Sequence, residues 1–190
     1  MKAGFVGFCV VVAAIIFMAG CVENEPEMFD QVSFEKAIIS DVEAKFPSAD
    51  IIEIEGTSQV GGINVTSVRV TFNYTSICPV RMRVNYKYPS FGYETGVPLY
   101  LVKDCAYRCM GECVITGEEE AIVAAHSIPG TELVKEFVGN GEGVKAKAVL
   151  LKNDSIWRVS FLDEAGGLML VNITSRNPEV RDIKIAGQAE

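Results

Sequence analysis

Histidine is nearly missing from this sequence: His126 is the only one in 190 residues. That excludes a zinc site of the H-E-x-x-H kind. A Ser–His–Asp site would have to use His126, and no G-x-S-x-G turn accompanies it. The 17 glycines form neither a P-loop nor a dinucleotide fingerprint. No C-x-x-C pair occurs, and the spacing of Cys105, Cys109 and Cys113 fits neither a zinc ribbon nor a ferredoxin cluster. A cationic surplus is missing as well. Seventeen Lys and Arg face 25 Asp and Glu, a net charge of −8. Nucleic-acid binding needs a basic footprint and is not expected. These absences together leave the expectation of a protein that is not an enzyme and holds no metal and no cofactor.

What is present begins at the N-terminus. After Met1 and Lys2, residues 3–20 carry no charge. A basic start, an apolar run and small residues before Cys21 have the layout of a secretory leader. Met18-Ala19-Gly20-Cys21 resembles the lipobox of prokaryotic lipoproteins. The resemblance implies cleavage before Cys21 and a lipid on that cysteine, with 1–20 as leader. The other reading is an uncleaved membrane helix, since roughly 18 apolar residues can just span a bilayer. Both place the rest of the chain on the outer face of the cell membrane, with Lys2 inside and Glu23, Glu25 and Glu27 outside. Residues 21–32 read as a short acidic tether. Cys9, within the apolar run, reads as a small hydrophobe.

Residues 33–104 read as a helix followed by strands. Ser33 can cap a helix with Phe34, Ala37, Ile38, Val42 and Phe46 on one face, and Pro47 stops it. Strands are expected at 51–54, 67–75, 80–88 and 97–103, with a turn at Gly61-Gly62. The second and third alternate apolar with polar, as an antiparallel sheet with one wet face requires. Arg69, Arg81, Arg83 and Lys87 then share the wet face. The plain reading is a solvated face; the sharper one is a partner-binding patch.

Four cysteines remain beyond the leader: Cys78, Cys105, Cys109 and Cys113. Outside the cytoplasm they are expected to oxidise, and three pairings exist. A hairpin turning near residues 91–92 sets Cys78 across from Cys105. The favoured pairing is therefore Cys78–Cys105 with Cys109–Cys113, inside a connector spanning 105–115.

Residues 116–187 repeat the order of helix, then strands. Thr116 and Glu119 have capping-box spacing, and Glu118-Glu119-Glu120 suits the positive end of the helix dipole. Ala121, Ile122, Ala125 and Ile128 form the apolar face, and Pro129-Gly130 ends the helix. His126 then lies at the helix C-terminus, where a partly charged imidazole helps the dipole. Strands are expected at 132–138, 144–152, 156–162, 168–174 and 180–185, with Trp157 in the core. Thr116-Gly117-Glu118-Glu119-Glu120-Ala121, then Ile128-Pro129-Gly130, then the paired strands 157–161 and 169–174 resemble the PepSY module. Asn172 stands where that module usually has Asp, and Thr174-Ser175-Arg176-Asn177 replaces its usual turn. The resemblance implies an α+β fold, PepSY/cystatin-like, of two helix-on-antiparallel-sheet units, the first a diverged copy. It also implies a role in regulating peptidases or binding another envelope protein, with no catalytic residues to carry over.

Sequons for N-glycosylation begin at Asn64, Asn73, Asn153 and Asn172. They matter in a host that glycosylates exported proteins, as many archaea do. The expected function is a non-enzymatic extracytoplasmic lipoprotein that binds an envelope protein. The alternative is a carrier of a small ligand or lipid on the outer membrane face.

Overall fold

The computed structural model describes residues 31–90, 92–151 and 155–186; the expected leader, Cys21 and Asn153 lie outside them. The fold class is α+β. Helix α1 (Gln31–Lys45) leads into β1 (Ile51–Val60), β2 (Ile63–Phe72), β3 (Val80–Ser90), β4 (Gly92–Thr95) and β5 (Leu99–Val102). Helices α2 (Glu118–Ser127) and α3 (Glu132–Val138) lead into β6 (Lys145–Leu151), β7 (Ile156–Leu162), β8 (Leu168–Thr174) and β9 (Val180–Ala186).

The first sheet is antiparallel in the order β1-β2-β3-β4, with β5 also paired to β3. Its alternation buries Val68, Val70, Met82, Val84 and Tyr86 on one face. From α1, Ile38 and Val42 are buried one helical turn apart. The Tyr86 hydroxyl donates to Asp41 Oδ2 at 2.6 Å, and the Phe46 ring meets Phe72 edge-on at 6.3 Å. β1 runs past Gly56, where the expected strand ended, because a bulge between Ile54 and Gly56 lets pairing resume. Gly61 and Gly62, at φ 59° and 82°, close the hairpin between Val60 and Ile63. Two consecutive positive φ values form the turn whose twist matches the strands. β2 stops at Phe72 because Asn73 takes φ 53°, which no strand accommodates.

The second sheet is an antiparallel meander, β6-β7-β8-β9. β7 and β8 occupy 156–162 and 168–174, as expected. Their inner residues Trp157, Val159, Phe161, Met169, Val171 and Ile173 share one core cluster with Ala121, Ile122 and Ala125 of α2 and with Ile128, which caps its C-terminus. Ala146 and Ala148 of β6 complete that floor, and their small side chains let α2 lie close. Each large side chain so buried contributes about 1.5–3 kcal/mol.

Segment 132–138 is helix α3 and not the expected strand. Val134 and Val138, four apart, are both buried, while Glu132, Lys135 and Glu136 are exposed. The same spacing also satisfies a period of two, so the pattern alone does not decide. Gly139, at φ 54°, ends the helix.

The connector is tied down at its far end. Ile115 N donates to Ser175 O at 2.8 Å and Asn177 N to Cys113 O at 2.7 Å. Residues 36–190 pack as one compact unit. Among the described residues, no helix is long and apolar enough to cross a membrane.

Candidate functional site

The row of cations expected on the wet face of the first sheet is largely covered. Arg81 is buried, and Arg69 keeps only 15% of its side chain exposed. The cover is acidic. Arg69 Nη1 donates to Glu53 Oε1 at 2.7 Å, while its Nε and Nη2 both donate to Glu119 Oε1. Thr71 Oγ1 donates to that same oxygen at 2.8 Å. Glu119 Oε2 faces Arg81 Nη1 at 3.6 Å, and Arg81 Nη2 donates to Glu55. Arg83 Nε donates to Glu55 Oε2 at 2.6 Å. The four cations are therefore not all exposed, contrary to what the alternation suggests. Arg83, half-buried, and Lys87, exposed, remain nearest the surface. The physical reason is proximity: β1 brings Glu53 and Glu55 beside the row, and α2 lowers Glu119 onto it.

Glu119 is fully buried. It is not the capping glutamate that its spacing suggests. Glu120 holds that role, accepting from Thr116 N and from Thr116 Oγ1 at 2.9 Å, and Gly117 is the cap residue. Gly117 must be small, since a Cβ there would sit 1.9 Å from Arg81 Nη1. Burial pushes the Glu55 carboxyl up, but hydrogen bonds from Arg83 and Arg81 outweigh it and hold the group below its ordinary value. Desolvation likewise opposes the charge on Arg69, and its bonds to Glu119 and Glu53 overcome it. The Tyr74 hydroxyl donates to Glu118 Oε2 at 2.6 Å; that bond, then burial, pushes its pKa up to about 12.

The cysteines pair as Cys78–Cys105 and Cys109–Cys113. The first bridge lies where β3 and β5 pair Arg81 with Val102, a register that continues to residues 78 and 105. His126 lies beside it. The imidazole is buried rather than presented at the helix end, and Nε2 donates to Ile77 O at 2.9 Å. Desolvation holds its pKa below the ordinary value, against the opposing hydrogen bond to Ile77. The expected partly charged imidazole is therefore a neutral one. Cys78, Cys105 and His126 are the single convergent His/Cys/Asp/Glu group among the described residues, within 4.8 Å of one another. With the bridge closed neither sulfur is a thiolate, and Nε2 carries its proton toward Ile77, so the set is no metal cradle in this state.

The sequons fall in unequal places. Asn73 is exposed in a turn. Asn64 is half-buried in β2 opposite Tyr88, and Asn172 sits in β8 accepting from Arg158 Nε at 3.1 Å.

No protein-family model matches the chain, and no curated protein or solved structure matches it either.

Proposed function

We propose that the chain is a non-enzymatic, extracytoplasmic lipoprotein, held to the outer face of the cell membrane through Cys21, that binds or regulates another envelope protein. The observation that carries this reading is the pairing of Cys78, Cys105, Cys109 and Cys113 into two bridges. Such bonds persist in oxidising compartments and are rare where thiols are kept reduced. The order of helix α2, Pro-Gly and, after the intervening helix α3, an antiparallel meander supports a PepSY-like module, and with it a peptidase as the regulated partner. Val97 and Met110 stand almost wholly in solvent, and Leu99 and Tyr100 are exposed as well. Apolar and aromatic side chains left outside in this way suit a protein contact.

A small-ligand carrier is the second reading. Its support is a concavity of about 710 Å³ lined by residues such as Asp50, Asn73, Ser76, Lys145 and Asp163. That lining suits a polar ligand and not an acyl chain, so the lipid-carrier version has less support.

Intact mass of the protein from its native membrane, unreduced, tests the first part. The expected mass carries a lipid on Cys21, lacks residues 1–20 and leaves no free thiol beyond it. A cytosolic chain with its leader retained and its thiols free would sink the proposal. Adding the protein to envelope peptidases of the same cells tests the second: saturable inhibition is expected, and unchanged proteolysis counts against a PepSY-like role.

A further inference from the structure

The Cys78–Cys105 bridge borders a concavity of about 390 Å³, also lined by His126, Ser127 and Lys135. Cys105 is exposed and Cys78 half-buried, so an incoming thiolate meets Cys105 first. The His126 Nε2–H that bonds Ile77 O also lies 3.9 Å from Cys105 Sγ. Lys135, exposed on α3, places an ammonium on the same wall. A positively biased, partly open pocket with an N–H at the sulfur is what favours a thiolate over a thiol. The second bridge has different surroundings: the Gly111 carbonyl oxygen lies 3.3 Å from Cys113 Sγ, and an oxygen opposes a thiolate.

We propose that this concavity is a thiol–disulfide exchange site whose substrate is a dithiol. A substrate thiolate attacks Cys105 Sγ, forming a new S–S bond as the Cys78–Cys105 bond breaks. Cys78 leaves as a thiolate in the same cluster, within 4.8 Å of the His126 imidazole. The second substrate thiolate then attacks its own bridged sulfur, closes a disulfide and expels Cys105 as a thiolate beside the same N–H. The dithiol loses two electrons and two protons, and the two cysteines gain them. A stabilised leaving thiolate speeds each step. This exchange is stoichiometric, one dithiol per bridge; it goes beyond the binding role proposed above and shares with that reading only the closed Cys78–Cys105 bridge.

The test treats the oxidised full chain with dithiothreitol at neutral pH, without denaturant. Rapid alkylation and mass mapping follow each bridge. The expected result is that Cys78–Cys105 opens about tenfold faster than Cys109–Cys113. Lys135→Gln is expected to slow only the first bridge, by roughly threefold. His126→Gln should slow it further. If that variant does not fold, Lys135→Gln still decides, because its side chain is exposed. Global unfolding would speed both bridges together, so the second serves as internal control. Equal rates, a faster Cys109–Cys113 bridge, or a Lys135→Gln rate equal to wild type overturns the proposal.

Discussion

Glu119 is held among Arg69, Thr71 and Arg81, so removing its carboxylate takes a partner from two largely buried cations and leaves Arg69 with Glu53 and Arg81 with Glu55. Breaking a buried pair from one side costs about 3–5 kcal/mol. Glu119→Ala is expected to lower stability by about that much, read as a reduced urea midpoint with an unchanged slope. A loss below about 1 kcal/mol, the scale of an exposed pair, would sink this account. Gly117 belongs to the same arrangement. Gly117→Ala pushes Arg81 aside and should cost about 1–3 kcal/mol, the scale of local overpacking. In an Arg81→Ala background the extra penalty should disappear, and a double-mutant cycle measures that. His126 makes the residue-scale case for pH. Its folded pKa lies below the ordinary 6.5, so below 6.5 the unfolded chain takes up the proton first. Stability is then fully present above pH 6.5 and falls as pH drops below it. The urea midpoint of the wild type should decrease from pH 7 to pH 5, while that of His126→Gln stays flatter. Parallel curves would show that another group titrates there. Glu55 acts lower: its contribution is present above 4.5 and lost as pH falls through its depressed folded value. Little of this was legible in sequence. A run of three glutamates at a helix start explains itself locally, and nothing near position 119 signals arginines 50 and 38 residues earlier.

At the level of elements, legibility followed how much of each pattern had a single solution. In β7, Arg158 and Ser160 separate Trp157, Val159 and Phe161, and only a strand buries those three on one side; β8 alternates in burial although Leu168, Met169, Leu170 and Val171 are all apolar. α3 offered two solutions, since Val134 and Val138 share a face under either period. Its surroundings decided: Thr131 Oγ1 bonds Ile128 O at 2.6 Å, turning the chain back, and Gly139 adopts a φ that ends a helix. Glu136→Pro puts the helix to an experimental test. In a helix interior proline removes a backbone bond and clashes with the preceding turn, costing about 3 kcal/mol or more. Glu136 is exposed, so no side-chain burial is lost with it. A variant as stable as wild type by chemical denaturation would refute the helix. The bulge at Gly56 is the converse case, a break that sequence read as an end. The bulge lets β1 continue and leaves Glu55 where it meets both Arg81 and Arg83.

Over the whole molecule, two helix–sheet halves were legible because each repeats the same order of elements, but their union was not. α2 makes them one body. Its Ala121, Ile122 and Ala125 lie in the core of the second sheet, while Glu119 reaches the arginines of the first. The hydrogen bond from the Nε2–H of His126 to Ile77 O adds a second tie, from the end of the first sheet to the end of the same helix. Halves joined through one helix at both of its ends should unfold together, as compact domains of this size usually do. Trp157 provides the probe, since the single tryptophan is buried in the second core. Met82, buried in the first sheet, provides the perturbation. Met82→Ala should cost about 2–5 kcal/mol. If the halves are one cooperative unit, the Trp157 fluorescence midpoint in urea falls with the far-ultraviolet dichroism midpoint, and the two remain coincident. If they are independent, fluorescence keeps its wild-type midpoint while dichroism shows an earlier transition. Adding Glu119→Ala to Met82→Ala then tests where the cooperativity resides: loss of the buried carboxylate should pull the two transitions apart before the bridge is reduced.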